Sequence, residues 1–196
     1  MIARRALVVV ATAALLGVAA LAVATAPDSV RITEPFDAHG AVGEPVDTRL
    51  LDVEVRQVTV ATELVVSYGG TFDDPQTVYP SEGVWVVLDV TAASSTDSLI
   101  LAGSILTVGE FSYSAFALPS PTIESFVVGS DVPVDGNIVF EVPRSVFESA
   151  TDARVTLKGN FATPLEQIAV VRVPLDQDAV ESSVTVDPAV VAGVVQ

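Results

Sequence analysis

Cysteine is absent from all 196 residues. Disulfides, thiolate nucleophiles, sulfur-based zinc sites and the acylated cysteine of a lipoprotein are therefore excluded. Histidine is nearly absent: His39 is the only one, and beside Asp37 it has no second imidazole to complete a metal site or a catalytic dyad. It reads as an exposed loop residue next to Gly40. No nucleophile elbow or lysine dyad occurs, and nothing selects two carboxylates opposed across a cleft. Positive charge is scarce, with 9 Lys+Arg against 25 Asp+Glu and a net charge of −16. That balance repels nucleic-acid phosphates and anionic lipid headgroups, and favours solubility and cations. The expectation is a protein that is not an enzyme, with no catalytic residue, metal ligand or cofactor-binding residue assigned and no nucleic acid as partner.

What is present begins with Ala6–Ala26, ALVVVATAALLGVAALAVATA, a run without charge. As a helix it would span roughly 30 Å, the thickness of a bilayer's hydrocarbon core. Arg4 and Arg5 precede it, so the positive-inside tendency keeps residues 1–5 as a cytoplasmic basic stub and exports the rest. A cleavable signal peptide shares these features. Pro27 blocks cleavage after Ala24-Thr25-Ala26, whereas Ala22-Val23-Ala24 stays open as a site. The apolar run exceeds the ~7–15 residues of a signal-peptide core. The reading favoured is an uncleaved signal-anchor, single-pass in the cell membrane, with secretion as the alternative if it is cut. With Arg4 and Arg5 inside, 7 basic residues face 25 acidic ones outside, a net charge of −18.

Residues 27–46 mix Pro, Gly and acidic residues and read as a stalk. From Arg49 the period becomes two: Leu51, Val53 and Val55 point one way, and Asp52, Glu54 and Arg56 the other. Val58 and Val60 continue the apolar set only if a residue is added near Arg56-Gln57, as in a β-bulge. Glu63–Tyr68 is a partner strand or a continuation. A turn-rich loop is expected from Gly69 through Gly83. Val84–Thr91 is the strongest strand, apolar on both faces in its first half, as suits a central strand beneath a loop or second layer. Leu99–Val108 and Phe111–Leu118 read as a hairpin about Gly109-Glu110, and Ile123–Val128 as a short strand. Gly129–Asn137 reads as a loop, and Ile138–Val142 as a strand with Ile138, Phe140 and Val142 inward. Arg144–Thr151 holds the one helical turn, and Ala153–Lys158 and Ile168–Leu175 are the last strands. About eight or nine strands without a long helix indicate an antiparallel β-sandwich over residues 47–176. Residues 177–196 form an acidic-apolar tail, with Val184-Thr185-Val186 available as an edge strand and fraying the favoured behaviour.

Two stretches carry a resemblance. Gly83–Ser95 (GVWVVLDVTAASS) and Val134–Arg144 (VDGNIVFEVPR), followed by Ala153–Gly159 (ARVTLKG), resemble the extracellular immunoglobulin-like domains of unknown function of Gram-positive surface and secreted proteins. Immunoprotective-antigen-like proteins are among their relatives. Ser94 and Ser95 stand where that family has asparagines. The resemblance covers roughly residues 40–175 and implies an immunoglobulin-like sandwich displayed outside the cell; it carries over no catalytic residue.

Asp73-Asp74 and Asp131 with Asp135 are loop carboxylates of the kind calcium takes, but neither forms a dense alternating Asp/Asn-Gly loop. Phe111, Tyr113 and Phe116 on a strand, and Tyr68, Phe72 and Tyr79 around the long loop, are candidates for a protein or glycan contact or for capping the core. Two functions stay open. One is a membrane-tethered extracellular binding module of the cell envelope, attached through Ala6–Ala26, with a protein partner and possible accessory work beside a transporter or assembly machine. The other is an envelope protein binding a small ligand or a cation such as calcium.

Overall fold

The structure, a computed structural model, describes residues 14–21, 25, 36–68, 76–95, 98–118, 122–130, 132–159 and 167–193. The chain divides into two units, Met1–Glu34 and Pro35–Gln196.

In the first unit residues 14–21 are helical, and Thr25 closes onto the helix by donating from its N–H and its Oγ1 to the Leu21 carbonyl, at 2.9 and 2.8 Å. Leu15, Leu16, Val18 and Leu21 stand exposed. Among the described residues no helix is long and apolar enough to cross a membrane. Most of the expected span Ala6–Ala26 lies outside the described residues.

The second unit is built from strands β1 (Phe36–Ala41), β2 (Pro45–Asp47), β3 (Leu51–Val66), β4 (Thr77–Ser94), β5 (Leu99–Ile100), β6 (Ile105–Val108), β7 (Phe111–Ser114), β8 (Val127–Val128), β9 (Val134–Val142), β10 (Asp152–Leu157), β11 (Gln167–Pro174), β12 (Val180–Val186) and β13 (Val190–Val191). A five-stranded sheet runs β1-β11-β10-β6-β7. A six-stranded sheet runs β12-β3-β4-β9-β13 with β2 also on β3, and β5 pairs with β8 apart from both. Val53, Val55, Val86, Leu88, Val90, Ile138 and Phe140 of the second sheet share one buried cluster with Leu106, Val108, Val155, Leu157, Val171 and Val173 of the first. The two inner faces thus form one core, as in a β-sandwich. The all-β expectation holds. The antiparallel expectation needs correction, because β1 pairs parallel with β11 and β12 parallel with β3. Both are edge strands near the two ends of the domain, far in sequence from the strands they pair with, so no tight turn imposes an antiparallel direction.

The slip in alternation at Arg56 is a bulge: Val55 pairs with Val90 and Gln57 with Asp89, leaving Arg56 as the extra residue. Glu63–Val66 continues β3 as its distal part. A second irregularity follows, where Ala61 pairs with Trp85 but Glu63 with Pro80. Beyond it the β3–β4 hairpin turns back over the outer face of its own sheet. Leu64 and Val66 are buried there with Trp85, Val87, Val139 and Val186, and the Trp85 Nε1–H donates to the Tyr79 carbonyl at 2.9 Å. Chain length requires the same geometry. Val186 sits beside Val66 and Val190 beside Asp135, and the four residue-to-residue steps from Val186 to Val190 reach at most about 14 Å. A flat hairpin would hold those positions much farther apart. The second layer expected over Val84–Thr91 is therefore this returning arm, joined by Phe116 and Leu118.

Several boundaries move. Residues 36–46, read as stalk, supply β1 and β2 to the sheets. Thr77–Gly83 belongs to β4 rather than a loop, and Gly83 fits there because a Cβ would collide with the Val142 carbonyl on β9. Ile123–Ser125 is a 3₁₀ turn, with only Val127–Val128 as strand. Val134–Asn137, read as loop, opens β9. The helical turn is Arg144–Phe147.

The tail is part of the sandwich and not frayed over 177–191. Gln177 Nε2 donates to the Glu148 and Ala150 carbonyls at 2.8 and 3.0 Å, satisfying acceptors left open beyond the helix. β12 lines β3, and β13 crosses to the opposite edge beside β9. Gly136 is what admits it, since a Cβ there would press on Ala189 and Ile123 at 3.0 Å.

Candidate binding site beside the β7 edge

The β6–β7 hairpin turns at Gly109-Glu110, with Gly109 at φ +60°, the left-handed conformation glycine tolerates best. This projects β7 as an edge strand of the first sheet. After Ser114 the chain leaves that sheet: the Phe116 N–H donates to the Val139 carbonyl at 2.7 Å, tying it to the edge of β9. Phe116 then packs edge-on against Trp85 and Tyr79, with centroids 5.0 and 5.9 Å apart.

Toward the turn the two edges separate around a cleft of about 490 Å³, lined by Tyr113, Glu82, Gly83, Glu141, Val142, Pro143, Arg144 and Ser145. Glu141 is held by Ser81, whose Oγ donates to it at 2.7 Å while accepting from the Gly83 N–H at 2.9 Å. Arg144 lies 3.9 Å from Glu148, a long and exposed pairing. A neighbouring cleft of about 280 Å³ lies between the β6–β7 turn and the segment after the short helix, where Phe111 is 58% exposed. Burial pushes the Tyr113 phenol up from its ordinary value, because the phenolate would lose hydration. The pair of clefts offers an aromatic and aliphatic wall with carboxylates at its rim.

The residues singled out in the sequence fall in different places. Phe111 lines the smaller cleft and Tyr113 the larger, whereas Phe116 and Tyr79 cap the outer cluster. Tyr68 is exposed, its hydroxyl 3.1 Å from Thr77 Oγ1. His39 is exposed on β1 rather than in a loop. Phe72, Asp73, Asp74 and Asp131 lie outside the described residues. Asp135 is engaged within the fold: Arg56 Nη1 lies 3.0 Å away and Thr91 Oγ1 donates to it at 2.6 Å. Arg56 also pairs with Asp89 at 2.6 Å, and its pKa is raised first by that hydrogen bond and then by the charges of Asp89 and Asp135, against a desolvation that lowers it. Among the described residues no three His, Asp or Glu side chains gather as a metal site.

The sequence reading missed Glu82, Glu141 and Arg144 as neighbours of Tyr113. Only the register Trp85↔Glu141 and the Phe116–Val139 hydrogen bond bring them together. The GNIVFEVPR run carried the single hint, a charged residue placed between buried ones before a proline.

By its two packed sheets and shared core the second unit belongs to the β-sandwich class. Among solved structures the chain is similar to an uncharacterized beta-sandwich protein from Clostridium difficile 630, at 11% identity and a TM-score of 0.44, over 74% of this chain and 99% of that one. No family profile matches the chain, and no curated protein does.

Proposed function

We propose that this protein is a non-catalytic binding module of the cell envelope, an immunoglobulin-like sandwich tethered outside the membrane by Ala6–Ala26. The observation that carries the binding role is the β7 edge, where Tyr113 lines one open cleft beside Glu82, Glu141 and Arg144, and Phe111 lines a second beside Glu110 and Asp152. A partner that covered Phe111 would bury a large aromatic side chain, the type that anchors protein contacts. The core between the sheets is filled by side chains, which favours recognition at the rim over a ligand held inside. The immunoglobulin-like reading draws on Gly83–Ser95 and Val134–Arg144. The tether draws on the uncharged run and on the absence of a lipidation cysteine.

The test is affinity purification of the tagged full chain from detergent-solubilised membranes of its own cells, beside Phe111→Ala. A stoichiometric partner retained by the wild type and lost from the variant is expected. Recovery of the chain alone from both would end this reading.

A further inference from the structure

Resting on the binding-module reading, we propose that β7 accepts an extended peptide segment by strand addition, and that the segment carries a lysine or arginine met by Glu82 and Glu141. The register of the β6–β7 hairpin decides which backbone groups are available. Val108 and Phe111 flank a two-residue turn, Leu106 faces Tyr113, and the Ala115 N–H donates to the Ser104 carbonyl. In an antiparallel pair the bonded residues alternate. Phe111, Tyr113 and Ala115 therefore point their N–H and C=O at β6 and Ser104. Ser112, Ser114 and Phe116 point theirs away, as the Phe116–Val139 bond shows. Phe116 uses its outward N–H on β9. Ser114 and Ser112, one and two outward positions nearer the turn, are exposed, and their outward groups pair with no described residue.

The seam between the sheets is thus begun at Phe116 and left open over the cleft of about 490 Å³, inside the roughly 300–1,000 Å³ range of ligand clefts. An unpaired edge is a template for an added strand, and main-chain hydrogen bonds supply affinity in that mode while flanking pockets supply specificity. Charge selects the occupant. Glu82 and Glu141 line the opening beside the Tyr113 ring, Glu110 is at the turn, and the whole chain is at −16. Arg144 at the Pro143 end, facing Glu148, is the one cation on that rim among the described residues. A second copy of this acidic chain would be repelled, whereas a basic segment is attracted and its cation finds carboxylates and an aromatic face.

The probe is a fluorescein-labelled hexapeptide alternating valine and lysine, titrated by fluorescence anisotropy into the full chain in neutral detergent. Its valine–glutamate counterpart and a version N-methylated at alternate amides are the controls. Binding at least tenfold tighter than either control is expected, with a tenfold loss in Ser114→Pro and a smaller loss in the double variant Glu82→Gln, Glu141→Gln. Proline at 114 removes an outward N–H and no bond to β6. Should that variant misfold by circular dichroism, the N-methylated peptide on the wild-type chain decides alone. Equal binding of the methylated and plain peptides, or of the lysine and glutamate peptides, overturns the proposal. If Ser114→Pro keeps the membrane partner, strand addition fails while the binding-module reading stands; if no variant ever recovers a partner, that reading fails by itself.

Discussion

Tyr113 shows how one side chain joins the core to the site. It packs against the buried cluster with part of its ring and lines the cleft with the remainder. Its phenol is pushed up by burial, so the folded state holds the proton beyond the pH at which the unfolded chain releases it. Stability from this group is then fully present below the unfolded value of about 10 and falls as pH rises through the folded value. Urea midpoints measured from pH 9 upward should decline with pH, and Tyr113→Phe should flatten that decline while leaving the midpoint at pH 7 within about 1 kcal/mol. Parallel slopes for the two proteins would show that Tyr113 is hydrated as in the unfolded chain. Arg56 plays the complementary part on the outer face, where it meets two carboxylates from neighbouring strands at the bulge. These side chains are more than a third exposed except Asp135, so screening by water keeps their contribution modest.

At the level of elements, the tail is where packing overrode pattern. Along β12 only Val186 is buried, and Ala189 follows between the last two strands, a pattern hard to tell from a loose terminus. Those two residues nevertheless fill sites on opposite clusters: Val186 against Leu64 and Val66, Ala189 against Gly136 and Ile123. Deleting residues 177–196 should lower unfolding stability by about 3 kcal/mol or more, the burial worth of Val186 plus the uncovered β3 edge. Urea unfolding of full and shortened chains in the same detergent measures this, and an unchanged midpoint would make the tail an ornament. The contrast with β3 shows what was legible. Arg56 was readable as a bulge because Val55 and Val58 must both face the core, and period two permits that only with an added residue. Trp85 and Val87 announced a covering layer but could not say that the same hairpin supplies it, since no local pattern encodes a strand turning back on its own sheet. The β7 cleft was hidden for a related reason. Glu82, Tyr113 and Glu141 are far apart in the chain and meet only through register.

For the whole molecule, attachment and charge bear on one another. If exported as proposed, the unit at −18 would be repelled by anionic headgroups, and without cysteine it would have no acylated cysteine to offset that repulsion. In the proposed arrangement, retention at the membrane rests on Ala6–Ala26. Two experiments separate a tether from a cleaved leader. Intact mass of the mature protein should account for residues through Met1 or Ile2, and the chain should stay in the pellet after an alkaline carbonate wash. Leu16→Arg places a charge near the middle of the run, at a cost of about 2.5–3.5 kcal/mol for insertion, and should move much of the protein out of the carbonate-resistant pellet. A mature mass beginning at Thr25 or Pro27 would remove the tether. The same sandwich would then diffuse freely, and a basic segment recognised at β7 would have to be presented to a soluble acidic protein rather than to one held beside the membrane. For a tethered module, linkage to one surface raises the effective concentration of a partner on that surface toward the millimolar range, so a weak strand-addition contact of a few residues is sufficient. Release would require a much tighter contact than two outward serine backbones and two carboxylates provide, and the location of the chain therefore decides whether the β7 edge can serve as its binding site.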